Sequence, residues 1–189
     1  MEPIDAALFF MIVHAGLGGF DTVVNHEWRD RLPKRPAAAH ELALHAGRSL
    51  MFAAIFAGSA WLEWRGGWGW AMLALMAAEV GVTLRDSVVE DRTRRLSALE
   101  RANHMLLAVN TGIYMAFFAA QVVVHWQALG SELVPAHHPA LLAWPLTLAA
   151  FGVVAWAIRD AVASRRLAAG PAGVVAYGGL PAADVKLPS

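Results

Sequence analysis

The sequence predicts an all-α, polytopic membrane protein with five transmembrane helices. Of its 189 residues, 58% are hydrophobic and only 16% are charged, which is too apolar for an ordinary soluble domain. Five apolar stretches are each long enough to cross a bilayer core, which takes about 20 helical residues. Arginine-rich connections and tryptophan-rich ends alternate along the chain, as they do in helical membrane proteins.

The five predicted spans define the domain organisation. Short polar, glycine- or proline-containing breaks separate them, and we expect residues 1–166 to form one transmembrane domain. Within it, 4–64 and 68–126 are expected to form two helical hairpins, with an extra helix at 139–163. Residues 167–189 are rich in Gly, Ala and Pro, so we expect a flexible C-terminal tail there. The spans are predicted at 4–25, 38–64, 68–90, 97–126 and 139–163.

The basic residues predict how these spans are oriented. Arg and Lys cluster in the first and third connections and at the end of the fifth span, whereas the other side has essentially only Arg65. By the positive-inside rule the N-terminus lies outside and the C-terminus is cytoplasmic, in an integral protein of a bacterial inner membrane. The chain has no Cys, which excludes disulfides, thiolate metal sites and iron–sulfur clusters. The clustered cations are Arg29, Arg31, Lys34, Arg35, Arg92, Arg94, Arg95, Arg159, Arg165 and Arg166.

A polar pattern that occurs twice indicates an internal duplication. Asp-Thr-Val-Val-Asn at 21–25 is echoed by Asp-Ser-Val-Val-Glu at 86–90, and each ends a span that leads into an Arg-rich connection. After each connection a helix opens with Glu-x-x-x-His, at 41–45 and at 100–104. Because two hairpins repeat the pattern, we attribute it to a shared site and not to chance.

Helix geometry places the repeated residues in one layer near the cytoplasmic side. Residues four apart share a face of an α-helix, so each Glu of a Glu-x-x-x-His motif lies beside its His. Ionisable residues inside a membrane are costly and are functional by default. Four carboxylates and two imidazoles suit two divalent metal ions, whose charge relieves the cost of burying the acids. The six predicted ligands are Asp21, Glu41, His45, Asp86, Glu100 and His104.

This ligand set resembles that of the ferritin-like di-iron four-helix proteins. Those proteins use one Glu from each of two helices and a Glu-x-x-His motif from each of the other two. Here the single acids are Asp21 and Asp86, and the paired motif is spaced i, i+4 instead of i, i+3. The resemblance implies a membrane-embedded four-helix bundle with iron as the expected metal. Imidazole and carboxylate ligands also suit zinc or manganese.

Three further residues extend the polar layer. Glu90 ends the second copy and is a candidate seventh ligand or general base, although Asn25 stands in its place in the first copy. His14 and Glu79 precede the two aspartates by seven positions, about 10 Å deeper at ~1.5 Å per residue. These two residues could support the ligands from outside in a pair with Arg48, transfer protons or form a second metal site. An ion pair between Arg48 and Glu79 is the alternative.

The remaining candidates in this region have simpler interpretations. His40 lies off the face shared by Glu41 and His45, so HELALH at 40–45 is not the H-E-x-x-H motif of zinc proteases. His26 is expected to face the cytoplasmic interface. The competing interpretation of the whole layer is a salt-bridge network without metal, in which its carboxylates pair with nearby arginines.

The predicted site is compatible with four kinds of function. The first is a di-iron oxidoreductase that acts on a membrane lipid or another hydrophobic small molecule and takes electrons from a cytoplasmic donor. The second is a zinc hydrolase that uses metal-bound water, with Glu90 or Glu79 as general base. The third is a metal or proton transporter or a structural subunit, and the fourth is a haem protein with His45 and His104 as ligands. We expect no nucleic-acid partner, because the sequence has no basic patch of that kind.

Overall fold

Five long helices account for most of the computed structural model, which describes residues 2–170. The predicted all-α class is therefore confirmed. A π-helical stretch at Asp21–Arg29, hereafter the π segment, continues α1, and a shorter one at Val122–Trp126 continues α4. The tail predicted at 167–189 lies outside the described residues from position 171 onward. The elements are α1 Pro3–Phe20, α2 Ala39–Trp61, β1 Leu62–Trp64, α3 Gly67–Thr93, α4 Ala98–Gln121, β2 Leu133–Pro135 and α5 Ala140–Ala169, with 3-10 turns at Leu32–Lys34 and Pro36–Ala38.

Local chemistry explains where the helices begin. Pro3 occupies the first turn of α1, where its missing N–H costs nothing. Ser97 caps α4, since its hydroxyl accepts a hydrogen bond from the Glu100 amide at 3.1 Å. Gly66 has a φ of +53°, a left-handed conformation that favours glycine and allows the abrupt start of α3. These starts decide which residues of α1, α3 and α4 lie at each end of the molecule.

The helices do not pair as the two predicted hairpins suggest. The extensive contacts run between α2 and α5 and between α1 and α4, whereas α1 touches α2 only slightly. Helix α5 lies antiparallel to α2, because Ser164 donates to the Ala39 carbonyl at one end and Trp61 to the Thr147 hydroxyl at the other. The helix predicted as an addition to a four-helix bundle is therefore an integral part of the packing.

Small residues let α5 approach its neighbours. Ala143, Ala150 and Ala157 are buried and recur every seven residues, which keeps them on one face of α5. Such small residues allow close helix contact without a hydrophobic driving force in lipid. The first two join the main apolar core, which also contains Leu8, Met11, Phe56, Met72, Met76, Tyr114, Phe118 and Leu146.

A small antiparallel sheet connects the two halves of the chain. Strand β1 directly follows α2, and β2 follows α4 after a turn. The register pairs Leu62 with Pro135 and Trp64 with Leu133. Because each half supplies one strand at the equivalent place, the sheet agrees with the internal duplication indicated by the polar pattern. We call this the sheet end of the molecule.

The surface of the helices indicates membrane integration. Four segments are long and apolar enough to cross a membrane: Pro3–Lys34, Pro36–Trp61, Ala98–Trp126 and Ala140–Ala169. Large apolar side chains point outward, including Leu141, which is 86% exposed, and Phe151, which is 72% exposed. Apolar surface of this extent is unfavourable in water. Helix α3 is not among the four segments, so the fifth span and the orientation stay predictions.

Replacing Gly69 with Ala is expected to destabilise the protein by about 1–3 kcal/mol through overpacking. A Cβ there would lie 2.8 Å from the Trp64 carbonyl oxygen and 2.9 Å from both methyl carbons of Val122. Gly81, in the same helix, has no neighbouring atom within 4 Å of such a Cβ. Thermal unfolding in detergent should show a lower Tm for Gly69→Ala and an unchanged or higher Tm for Gly81→Ala. Equal Tm values for the two variants would contradict the packing.

Candidate metal centre

Polar residues from four helices meet at the end opposite the sheet, here called the site end. They come from the π segment, the first two turns of α2 and α4, and the last two turns of α3. All are at most 5% exposed except His104, whose side chain is 25% exposed. The six predicted ligands thus lie in one buried layer, and Glu90 lies with them. The layer comprises Asp21, Asn25, His26, Glu41, His45, Asp86, Glu90, Glu100 and His104.

Two histidine–aspartate contacts cross between the repeats. The Nε2 atom of His45 lies 3.0 Å from Oδ2 of Asp86, and Nε2 of His104 lies 3.1 Å from Oδ2 of Asp21. The imidazole of each repeat therefore contacts the aspartate of the other. This reciprocal pairing is what a pseudo-two-fold duplication requires, and it holds the two halves together at the site end.

His26 is the residue of the layer that sequence reasoning placed elsewhere. It was expected at the cytoplasmic interface, but it is buried. Its Nε2 atom lies 3.4 Å from Asp21 Oδ2 and 3.8 Å from Glu100 Oε1. Its ring stacks on that of His45, with centroids 4.7 Å apart and an interplanar angle of 9°. His26 therefore joins the polar residues of both repeats.

The π segment explains why the α-helical pattern missed His26. Five residues of an α-helix turn through a net angle of about 140°, which puts residue 26 far from the face of Asp21. A π-helix hydrogen-bonds from i to i+5, as Asp30 N does to the Asn25 carbonyl at 2.8 Å. Residue i+5 then returns toward the side of residue i. Asp21 and His26 consequently point into the same layer.

Arg94 is the second residue that the sequence did not single out. The sequence predicts it only as one of the cytoplasmic cations, yet its side chain is 5% exposed and enters the layer from the connection between α3 and α4. Its guanidinium lies 3.1 Å from Glu41 Oε1, 3.0 Å from Glu90 Oε1 and 2.7 Å from Glu100 Oε1. It also contacts the carboxylate of Asp30. One cation therefore binds carboxylates from α2, α3, α4 and the end of the π segment.

The electrostatics of Arg94 follow from these neighbours. Burial by itself lowers the pKa of a guanidinium, but the carboxylates of Glu41 and Glu100 more than offset this and raise the pKa of Arg94 above its ordinary value. Arg94 is thus permanently charged. Because each glutamate uses only Oε1 for the guanidinium, its Oε2 is left for another partner.

The donor atoms fit a metal ion in two adjacent groups. Ligand atoms of Asp21, His26, Glu100 and His104 lie within 4.8 Å of one another, as do those of His26, His45 and Glu90. Several of the potential ligand atoms in this layer are buried without a hydrogen-bond partner in the described part of the chain, which is unusual for polar atoms in a protein interior. These atoms are Nε2 of His26, Oε2 of Glu41, Oδ1 of Asp86 and Oε2 of Glu100.

Three sequence-based assignments fall outside this layer or change partner. His14 packs against Phe52 and Tyr114, with Nδ1 3.4 Å from the Thr111 hydroxyl. Glu79 accepts a hydrogen bond from Thr83 at 2.6 Å. Neither makes an ion pair with the layer within residues 2–170. Arg48 contacts Asp86 at 3.1 Å and not Glu79, so the alternative Arg48–Glu79 pair is not present.

The layer needs positive charge beyond its arginines. Arg94 and Arg48 supply two charges against five buried carboxyl groups, so three negative charges remain if all are ionised. Protons on three imidazoles would balance them, and so would metal cations at the same atoms. A proton on His45 Nε2 would be donated to Asp86 Oδ2 at 3.0 Å, but a proton on His26 Nε2 would be buried without a hydrogen bond, at a cost of about 1–3 kcal/mol. At His26 the geometry therefore favours a metal cation. The carboxyl groups are those of Asp21, Glu41, Asp86, Glu90 and Glu100.

Replacing Arg94 with Ala is expected to lower the free energy of unfolding by about 3–5 kcal/mol, because it leaves buried carboxylates unpaired. The loss should shrink at acidic pH, where protonation removes the repulsion between those carboxylates. Arg95→Ala is the control, since Arg95 is exposed and makes no ion pair in the described residues. Chemical unfolding of the two variants at neutral and acidic pH measures both effects. An Arg94→Ala protein as stable as the control would refute the role of the guanidinium.

Comparison with known proteins yields no similarity from which to assign a family. No family model matches the chain. No curated protein sequence and no solved structure matches it either. The functional interpretation therefore rests on the geometry of the layer.

Proposed function

We propose that the chain is a membrane-embedded dinuclear metalloprotein, with di-iron oxidoreductase chemistry on a hydrophobic substrate as its activity. The observation that carries the proposal is the pair of adjacent ligand groups that share His26. Each group offers both imidazole nitrogen and carboxylate oxygen, a mixture that suits iron, manganese or zinc. The set of carboxylates and imidazoles in the layer also resembles the ligands of ferritin-like di-iron proteins.

The residues divide into ligands and residues that hold them. One position would be held by Asp21, Glu100 and His104 and the other by His45 and Glu90. His26 belongs to both groups and would complete one of them, because a neutral imidazole binds a single metal ion. Glu41 and Asp86 supply further carboxylates beside these groups through their unpartnered oxygens. Iron bound there would supply redox chemistry with dioxygen. Arg94 would keep the glutamates in place through their other oxygens, the role that outer contacts commonly have around metal ligands.

The surroundings of His104 support a hydrophobic substrate. His104 is the one member of the two ligand groups that is partly exposed. Next to it on α4, the side chains of Leu99, Met105 and Leu106 point outward, into the surface that we assign to lipid. A substrate that approaches from the membrane would reach His104 first. Binding there needs no aqueous channel, which favours a lipid or another hydrophobic small molecule.

The electron donor proposed for this activity would dock at the site end. Arg92, Arg95 and Arg101 are exposed around the connection between α3 and α4. Arg94, in the same connection, reaches the buried layer. A donor with an acidic surface would be attracted to this region. By the positive-inside rule this end faces the cytoplasm.

Zinc hydrolysis is the second candidate, and the third imidazole favours it. Nitrogen-rich sites with His ligands are common in catalytic zinc centres, and His26 adds an imidazole to the two expected from sequence. In that case Glu90, within ligand distance of His26 and His45, would be the general base for metal-bound water.

Metal content should depend on His26 and not on His40. We expect about two metal ions per purified chain in the wild type, and a loss of at least one ion per chain in His26→Ala, because His26 belongs to both groups. His40 is exposed on α2, so His40→Ala should keep the wild-type content. Elemental analysis after membrane extraction measures both.

The identity of the metal separates the candidate functions. Bound iron with a ligand-to-metal charge-transfer band would support the oxidoreductase. Bound zinc without such a band would support the hydrolase, and a Soret band would indicate a haem protein. A wild-type protein without metal after reconstitution with Fe²⁺, Mn²⁺ and Zn²⁺ would refute the proposed centre.

Metal binding should also release protons. If protonated imidazoles balance the carboxylates in the metal-free layer, divalent cations must displace those protons. We expect Zn²⁺ added to metal-free protein in weak buffer below the pKa of histidine, ~6.5, to acidify the solution by up to about two protons per chain, because the imidazoles of His45 and His104 face Asp86 and Asp21. His45→Ala should release fewer. Stoichiometric zinc binding without proton release would contradict this charge balance.

A further inference from the structure

A groove at the site end lies outside the metal centre. It runs between the end of the π segment with the residues that follow it and the last turns of α5. Two adjoining pockets of about 490 Å³ and 330 Å³ form it and share Pro33 and Arg159. The other lining residues are Glu27, Arg31, Lys34, Val162, Ala163 and Arg166.

The groove carries an excess of positive charge. Arg31, Lys34 and Arg166 are exposed and make no ion pair within the described residues. Arg159 contacts the carboxylate of Glu27 across the groove, so the groove's own acid is already paired. Three unpaired cations around one concave surface attract an anion with several acceptor oxygens.

An apolar stripe on α5 leads directly into this groove. Its side chains are each between 42% and 86% exposed and follow one another at alternating intervals of three and four residues, apart from one gap at Ala155. That spacing keeps them on one face of the helix, different from the face of the buried alanines. The stripe consists of Leu141, Trp144, Leu148, Phe151, Ile158 and Val162, and Val162 lines the groove.

The length of α5 places the groove at the boundary of the membrane. The 20 residues from Ala140 to Arg159 rise about 30 Å, the thickness of the hydrocarbon core. Arg159 therefore lies at the polar boundary, and Arg166 lies beyond it. The Trp156 ring is 5.8 Å from the Arg159 guanidinium, as expected for an aromatic residue at a membrane interface.

We propose that this groove binds the headgroup of an anionic phospholipid, with an acyl chain along the stripe of α5. The cations of the groove would bind the phosphate of the headgroup. The apolar stripe reaches the groove at Val162, where an acyl chain would leave the headgroup. A second copy of the chain is a poorer occupant, because it would bring the same cations to the groove and like charges repel. A basic pocket beside membrane helices is a typical place for such lipids. The proposal is independent of the metal centre.

The test compares two lipids with the same acyl chains. Wild-type protein in detergent is titrated with phosphatidylglycerol or phosphatidylcholine, and bound lipid is counted by native mass spectrometry. We expect one phosphatidylglycerol to bind at least about tenfold more tightly than phosphatidylcholine. The preference should be lost in K34E/R166E, where two of the three unpaired cations are reversed. R92E/R95E carries the same charge change on another connection and should keep the preference.

Further measurements decide between occupants and guard against misfolding. If K34E/R166E has the same Tm as R92E/R95E in phosphatidylcholine, its fold is intact. If charge reversal prevents folding, the lipid titration is repeated with K34Q/R166Q. Equal stabilisation by glycerol phosphate would assign the groove to free phosphate and overturn the lipid proposal. If K34E/R166E dimerises more tightly than the wild type, the groove would instead bind a second copy of the chain. Equal binding of the two lipids would also refute the proposal.

Discussion

The site end depends on the contact of one buried guanidinium with carboxylates from four parts of the chain. Without Arg94, the glutamates of α2, α3 and α4 would repel one another in a region from which water is largely excluded. With it, each glutamate accepts from the guanidinium through Oε1 and keeps Oε2 for another partner. The same interaction therefore stabilises the convergence of the helices and leaves a set of unpartnered ligand atoms between them.

The repeated polar pattern explains how a short chain can bring so many ionisable residues together. Each repeat contributes an aspartate and, four residues after a glutamate, a histidine, and the histidines contact the aspartates of the opposite repeat. The small sheet joins the repeats at the other end. The symmetry is incomplete, since Asn25 stands where the second repeat has Glu90, and Asn25 donates to Asp21 at 2.7 Å. Helix α5 has no counterpart and packs along α2.

Charge and apolar surface divide the molecule into regions with different partners. The buried layer suits cations, the outward faces of the helices suit lipid, and the groove beside α5 suits an anion at the membrane boundary. The proposed metal centre and the groove lie at the same end but use different residues, so the two proposals can fail separately. A salt-bridge network formed by Arg94 and Arg48 alone would leave the Nε2 atom of His26 without a hydrogen-bond partner.

The sequence by itself determined the helical class, the apolar segments and the repeated acids and histidines, because hydropathy and i, i+4 spacing depend only on local order. It placed Asp21, Glu41, His45, Asp86, Glu100 and His104 in one layer. Only the tertiary structure decided the rest. His26 enters the layer through a π-helical turn, Arg94 enters it from a connection, and α5 packs along α2. These three depend on backbone geometry and long-range contacts, which no periodicity in the sequence records.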